Sequence, residues 1–185
     1  MHPIESPFDR SVELDRPGRR PGAVRCRLVG NDEELALHLA IRRAVFVEEQ
    51  HVFEADDRDD HDEDHATLHV LGIWGGVAAA TVRLYPAGAQ GFWVGDRLAV
   101  LPPFRLFGLG RPLVELATHS AKARGGTRMD AHVQLANVAF FERLGWARVG
   151  PPADYLELPH QAMTINLRHL ARSSSPVPLA PSEGR

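Results

Sequence analysis

The stretch Gly95-Asp96-Arg97-Leu98-Ala99-Val100-Leu101-Pro102-Pro103-Phe104-Arg105-Leu106-Phe107-Gly108-Leu109-Gly110-Arg111-Pro112-Leu113-Val114-Glu115-Leu116-Ala117 decides the fold, because it reads as strand, glycine loop and helix in that order. Glycines let a loop turn tightly and bring backbone N–H groups close to a ligand, and a helix that follows aims its positive end at the same place. With Arg105 just upstream of Gly108 and Gly110, the segment predicts an anion site, and a phosphorylated ligand is the first inference. No Lys-Ser or Lys-Thr pair closes the loop, which excludes a nucleoside-triphosphate P-loop. No third glycine and no acidic residue some twenty positions on supports a dinucleotide fingerprint either.

Residues Arg128 to Gln134 alternate Met129, Ala131 and Val133 with Asp130, His132 and Gln134, which is strand periodicity. They lead into Asn137-Val-Ala-Phe-Phe-Glu-Arg-Leu-Gly-Trp146. The pattern Arg-x-x-Gly-x-Gly between strand and helix, followed by this second block, resembles the GCN5-related N-acetyltransferases (GNAT). Around that core, Arg43-Ala-Val-Phe-Val-Glu-Glu-Gln50, an acidic stretch ending at His65, and Pro159-His160-Gln-Ala-Met163 are similar to the ElaA-like and nitrogen-starvation-associated bacterial group of that superfamily.

The resemblance implies an α+β GNAT fold, a mixed and mostly antiparallel sheet flanked by helices, with two central strands splayed to admit acetyl-CoA. It also implies a set of cofactor-binding residues. Backbone groups of Leu98 and Val100 would hold the pantetheine arm, and Arg105, Leu106, Phe107, Gly108, Leu109, Gly110 and Arg111 the phosphates. Asn137 with Phe140 or Phe141 would meet the thioester end. Pro112 has no N–H to offer a phosphate, yet it suits a first helical turn. Many relatives carry a tyrosine as proton donor where this chain has Phe141, so here the thiolate leaves unaided, is protonated by water, or uses another residue; Tyr155 is the nearest candidate in sequence, against a plain packing role.

For the base that deprotonates the attacking amine, Glu49 and His132 lead. Glu49 follows the first helical region, and His132 shares a strand face with Asp130 and Gln134; its ordinary pKa is near neutrality. The bland alternative for His132 is a hydrogen-bonded core histidine. His160 is read as lining the substrate pocket or holding a turn. Phe107, Phe141 and Trp146 are read as pocket walls or core.

The composition, 185 residues with 44% hydrophobic content, fits one well-buried domain. The expected division is a tail over 1–22, an N-acetyltransferase domain over 23–170, and a second tail over 171–185, both tails being too poor in apolar residues to pack. The single cysteine, Cys26, reads as a small buried hydrophobe in a first strand, and with no export segment in view it suits a reducing bacterial cytoplasm. No basic stripe interleaved with aromatics points to nucleic acid, and no apolar run approaches a membrane span. A homodimer is the assembly carried with this reading.

Net charge is −3, yet residues 48–65 alone hold ten acids against one arginine. The run Asp56-Asp-Arg-Asp-Asp-His-Asp-Glu-Asp-His65 reads as a solvated loop, as a mouth that attracts a cationic amine, or as a metal site; it lacks the glycine and terminal glutamate of an EF-hand loop, and no metal is assigned.

Elsewhere, Ala23 to Val29 reads as a strand. Asn31 caps a helix whose stripe is Leu37, Ala40, Ile41, Ala44 and Val45, leaving His38, Arg42 and Arg43 outside it. A hairpin turns at Gly75-Gly76 between Thr67–Trp74 and Val77–Tyr85, Phe92 to Leu101 forms a further strand, and Trp146–Val149 and Met163–Leu167 supply late strands. The expected activity is transfer of an acetyl group from acetyl-CoA to the primary amine of a small cationic metabolite in a ternary complex. The rivals are an acyl-homoserine-lactone synthase on the same fold and a non-catalytic acyl-CoA-binding module.

Overall fold

In a computed structural model of the chain, the described residues are 22–155 and 158–170. Both expected tails lie almost wholly outside them. Eight strands form one sheet: β1 (Val24–Leu28), β2 (Leu68–Trp74), β3 (Val77–Pro86), β4 (Phe92–Val100), β5 (Arg128–Gln134), β6 (Ala147–Arg148), β7 (Ala153–Tyr155) and β8 (Leu158–Asn166). Their order is β1-β2-β3-β4-β5-β8-β6, with β7 also on β8. Every pairing is antiparallel except β4 with β5.

Three helices flank the sheet: α1 (Asp32–Arg42), α2 (Gly110–Ala123) and α3 (Val138–Arg143). Strand β3 is buried from Ala79 through Leu84, on both side-chain parities, so both faces of the sheet are covered. His38 of α1 meets His69 on one face, while Gly72, of opposite parity on the same strand, lets Leu109 and Leu113 at the start of α2 close onto the other. The β2–β3 hairpin turns at Gly75 and Gly76, with φ +57° and +93°, the conformation that a tight hairpin requires.

The first helix begins as read, with the Asn31 side chain accepting the Glu34 N–H at 2.9 Å. Its buried side is not the stripe read from the sequence. His38, Ile41, Arg42 and Val45 are the buried residues, whereas Leu37 is exposed. The stripe shifts by one position because Arg42 is drawn inward by carboxylates described below. The helix then widens into a π-helical segment over Arg43–Glu49, with the Gln50 N–H donating to Val45 O at 2.9 Å. Such widenings re-aim side chains, and here Phe46 and Gln50 reach the cleft.

The cleft arises from a register fact. Strands β4 and β5 pair only from Phe92–Val94 to Arg128–Asp130. Beyond that point β4 stays with β3 as far as Val100, and β5 stays with β8 as far as Gln134. The two strands therefore diverge in the middle of the sheet. Opposite Val82, β4 carries two residues, Arg97 and Leu98, and Arg97 sits at φ +52°, a β-bulge at the mouth of the opening.

Candidate acyl-transfer site

A cavity of about 820 Å³ fills the opening between β4 and β5. At one end stand Gly108, Gly110 and Arg111 at the start of α2; the splayed strands supply Val100, Ala131 and Val133, and α3 supplies Phe140 and Phe141; Phe46, Gln50, Val52, Phe53, Tyr85, Tyr155 and His160 are also in the lining.

The glycine loop has the geometry of an anion cradle. Pro102–Phe107 form a short 3-10 turn, Gly108 follows at φ +75°, and α2 starts at Gly110. Pro112 is thus the third helical residue, where an N–H lacks a partner within the helix in any case. A Cβ on Gly110 would lie 3.3 Å from the Phe140 ring, so glycine there lets α3 close against the loop.

Among the loop side chains the structure separates those at the cavity from those turned away. Leu106 is 97% exposed. Phe107 stacks on Trp74 with ring centroids 4.3 Å apart and lies outside the cavity lining, so the reading of Phe107 as pocket wall or core is corrected: the outer Trp74 ring holds it instead. Leu109 is buried against the sheet. None of these three residues is in the cavity lining.

Arg105 lines the cavity, yet its guanidinium donates to Glu49 Oε2 at 2.5 Å and to Val100 O at 3.2 Å. Without ligand, the expected phosphate-binding arginine and one of the expected bases thus neutralise each other. One backbone acceptor expected for the pantetheine arm, Val100 O, is also occupied. Leu98 and Asn137 line the cavity.

The remaining titratable groups cluster on β5, β7 and β8. His132 is exposed, not a core histidine, and stacks face to face on Tyr155 with centroids 4.4 Å apart. Tyr155 in turn meets His160 edge-on at 5.5 Å. His160 is buried, with Nδ1 2.8 Å from Leu158 O. A carbonyl can only accept, so Nδ1 donates, and in the neutral imidazole the lone pair lies on Nε2. Phe141 is packed edge-on against Phe140 and Trp146. Tyr85 also lines the cavity; burial, with the charge of Asp96, pushes its phenol up to about 12, so it stays protonated.

The largest departure from the sequence reading lies in the acidic segment: Asp57, Asp59 and Asp62 are held by arginines, whereas Asp56, Asp60, Glu63 and Asp64 stay exposed as a solvated loop would have them. Asp57 receives Arg42 Nε at 2.8 Å, Asp62 receives Arg42 Nη1 at 2.5 Å and lies 2.8 Å from Arg83 Nη1. Asp59 receives both Nη atoms of Arg83, at 2.6 and 2.8 Å, and Asp96 takes the other edge of the same guanidinium. Arg97, on the bulge, donates to Asp57 O and Asp59 Oδ2.

The side chains of Arg42 and Arg83 are fully buried, and those of Asp57 and Asp62 nearly so. Burial alone would raise the Asp62 pKa, but the hydrogen bonds and charge of Arg42, with the charge of Arg83, hold it far below the usual carboxylate range. The segment is a clasp that ties the loop after α1 to β3 and to the β4 bulge. A signal for it was present in the sequence: Arg83 stands between Val82 and Leu84 in an otherwise apolar strand, and a charge placed there requires partners. Phe46, Val52, Phe53 and Tyr85 were not legible as cavity residues, since they come from three separate elements.

This geometry agrees with comparisons to known proteins. The model of the acetyltransferase (GNAT) family matches residues 35–146. A Bacillus subtilis (strain 168) protein named as a candidate acetyltransferase is 30% identical over 137 residues, covering 74% of this chain and 92% of that protein. The crystal structure of an acyl-CoA N-acyltransferase from Pseudomonas aeruginosa superposes with a TM-score of 0.65 at 26% identity, over 77% of this chain and 98% of its own. Escherichia coli ElaA shares the fold, with a TM-score of 0.69 at 20% identity over 77% of this chain and 99% of its own. The family draws its acyl group from acetyl-CoA or another acyl-CoA, and a match spanning both the glycine loop and the Asn137–Trp146 block makes this chain a member of the acetyltransferase (GNAT) family and an acyl-CoA N-acyltransferase.

Proposed function

We propose that the protein transfers an acetyl group from acetyl-CoA directly to the primary amine of a small molecule, both substrates being bound at once. The observation that carries this reading is the position of His160: a histidine lining the cleft, with Nδ1 committed to Leu158 O and Nε2 free of that contact.

An amine arrives largely protonated, since its ordinary pKa is about 10. Its proton passes to His160 Nε2, directly or by way of a water shared with His132. The freed nitrogen lone pair attacks the thioester carbon, the C–S bond breaks with its electron pair leaving on sulfur, and the second nitrogen proton passes to that thiolate, directly or through water, to give the amide and the free thiol. With a thiol pKa of about 8.5 the thiolate is a tolerable leaving group, so Phe141 in place of a tyrosine does not block the step. Gly108, Gly110 and Arg111 at the start of α2 would hold the pyrophosphate, and Arg105, kept in place by Glu49, would join them. Asn137 and Phe140 would flank the thioester. In this reading Glu49 is the resting partner of Arg105. A bacterial cytoplasm, where acetyl-CoA is made and the Cys26 thiol stays reduced, is the setting carried with it.

The test is thiol release from acetyl-CoA across a panel of primary amines, with wild type and His160→Gln. The variant should retain acetyl-CoA binding and lose about 100-fold in kcat. Amine-independent binding of acetyl-CoA with no thiol release in the wild type would reduce the protein to a CoA-binding module.

A further inference from the structure

We infer that the acceptor is a monoamine carried on an aromatic or apolar body, and that a second cationic centre is excluded. This rests on the acetyl-transfer reading for the reacting nitrogen, but its evidence is separate, because it concerns the walls that surround the rest of the acceptor. Among the described residues lining the cavity, the only carboxylate is Asp96, against Arg97, Arg105 and Arg111. Asp96 is committed: Arg83 donates to Oδ1 from Nε at 2.8 Å and to Oδ2 from Nη2 at 2.7 Å. Arg83 itself is fully buried. Asp57, Asp59 and Asp62 are held by Arg42, Arg83 and Arg97, and Glu49 by Arg105. A diamine or polyamine would therefore bring its second ammonium into a cavity whose only lining carboxylate is already committed, at the desolvation cost of an unpartnered charge.

What the walls offer instead is aromatic surface, held in place by the clasp. The Arg97 guanidinium lies over the Phe53 ring, 4.9 Å from its centroid, and that of Arg83 lies 5.5 Å from the Tyr85 centroid. The His61 imidazole stacks on Tyr85 at 3.7 Å. Phe53 and Tyr85 are thus fixed in orientation before any ligand arrives, and with Phe46 and Tyr155 they line a slot suited to a flat or apolar group. The buried ion clasp serves specificity in this way: it neutralises the acids that would recruit a polycation and sets the rings that receive an apolar body.

Binding and turnover test this separately. The full-length chain saturated with CoA is titrated calorimetrically with N-acetyl-2-phenylethylamine and with N-acetyl-1,4-diaminobutane, the products of an aromatic monoamine and of a diamine. The aromatic product should bind at least tenfold more tightly. Equal affinity, the reverse order, or no binding of the aromatic product overturns the inference. In parallel, thiol release is followed with 2-phenylethylamine, 1,4-diaminobutane and spermidine. Binding of the aromatic product without any turnover supports the wall chemistry and sinks acetyl transfer. A higher kcat/KM for either polycation than for 2-phenylethylamine supports acetyl transfer and overturns the proposed acceptor class.

Discussion

Replacing Asp62 with asparagine removes one charge from the centre of the clasp while keeping the size of the side chain. In the native protein Asp62 accepts from Arg42 Nη1 at 2.5 Å and Nη2 at 3.0 Å and lies 2.8 Å from Arg83 Nη1, with only 2% of its side chain exposed. Breaking a buried ion pair by neutralising one partner costs about 3–5 kcal/mol, because the other charge is left uncompensated. Here Asp57 still holds Arg42, and Asp59 and Asp96 still hold Arg83, so the lower figure of about 3 kcal/mol applies. For a chain of this length, ~1 kcal/mol moves the melting temperature by about 2–4 °C, which puts Asp62→Asn about 6–12 °C below wild type.

Asp56→Asn and Asp60→Asn are the controls. Both residues are exposed, and surface changes of this kind stay within about 0.5 kcal/mol, or less than about 2 °C. Differential scanning fluorimetry at pH 7.5 reads all three. If Asp62→Asn melts within 2 °C of the controls, the acidic segment is a solvated loop and the clasp is not a stabilising element. Kinetics provide a second check. The two exposed replacements and moderate added salt should leave KM for the amine within about twofold of its starting value, since no free carboxylate at the cavity remains to be screened.

Gly108→Asp introduces a negative charge where the pyrophosphate is placed; a Cβ there meets nothing within 4 Å, and the left-handed φ of +75° costs an aspartate about 1–2 kcal/mol, which the fold should survive. Acetyl-CoA at ~100 times its Kd should stabilise wild type by about 2.7 kcal/mol, and the variant should show no such shift in a melting assay; a retained shift would unseat the loop assignment. His38 is buried, and burial, then the charges of His69 and Arg42, push its pKa down to about 3, so the unfolded chain takes up that proton first as pH falls. Stability from this group is complete above about pH 6.5 and lost toward pH 3, amounting to about 2 kcal/mol between pH 7 and pH 5. Urea titrations at the two pH values should show that decline, and one as large in His38→Gln would assign it elsewhere. Burial raises the Cys26 thiol to about 11, so iodoacetamide at pH 7.5 should label it far more slowly than free cysteine; equal rates would contradict its packing in β1.

The sequence determined those parts of the protein whose physics is local. The alternation in Arg128–Gln134 matches β5 to the residue, because a strand between core and cleft writes its period directly into apolar and polar positions. Gly75-Gly76 specified a hairpin turn, and Gly108 specified a loop at positive φ leading into the helix that Gly110 opens, because only glycine takes that conformation without strain. With the Asn137–Trp146 block, these were enough to identify the fold and the side of it that receives the donor. The short β7 left no trace, since three exposed residues show no period, and its Tyr155 enters the site only by stacking on His132.

Tertiary structure alone decided what the charges do. Ten acids in eighteen residues look the same in one dimension whether they face water or arginines, and the partners Arg42, Arg83 and Arg97 come from a helix and two strands as many as forty positions away. Coulomb pairing acts through space and leaves no period along the chain, so the sequence could mark the acids but not their neutralisation. The same holds for the acceptor walls, drawn from the π-helical segment, β3, β4 and β7. Local geometry made the donor loop legible; the character of the acceptor site follows from long-range contacts that exist only once the sheet has formed and opened.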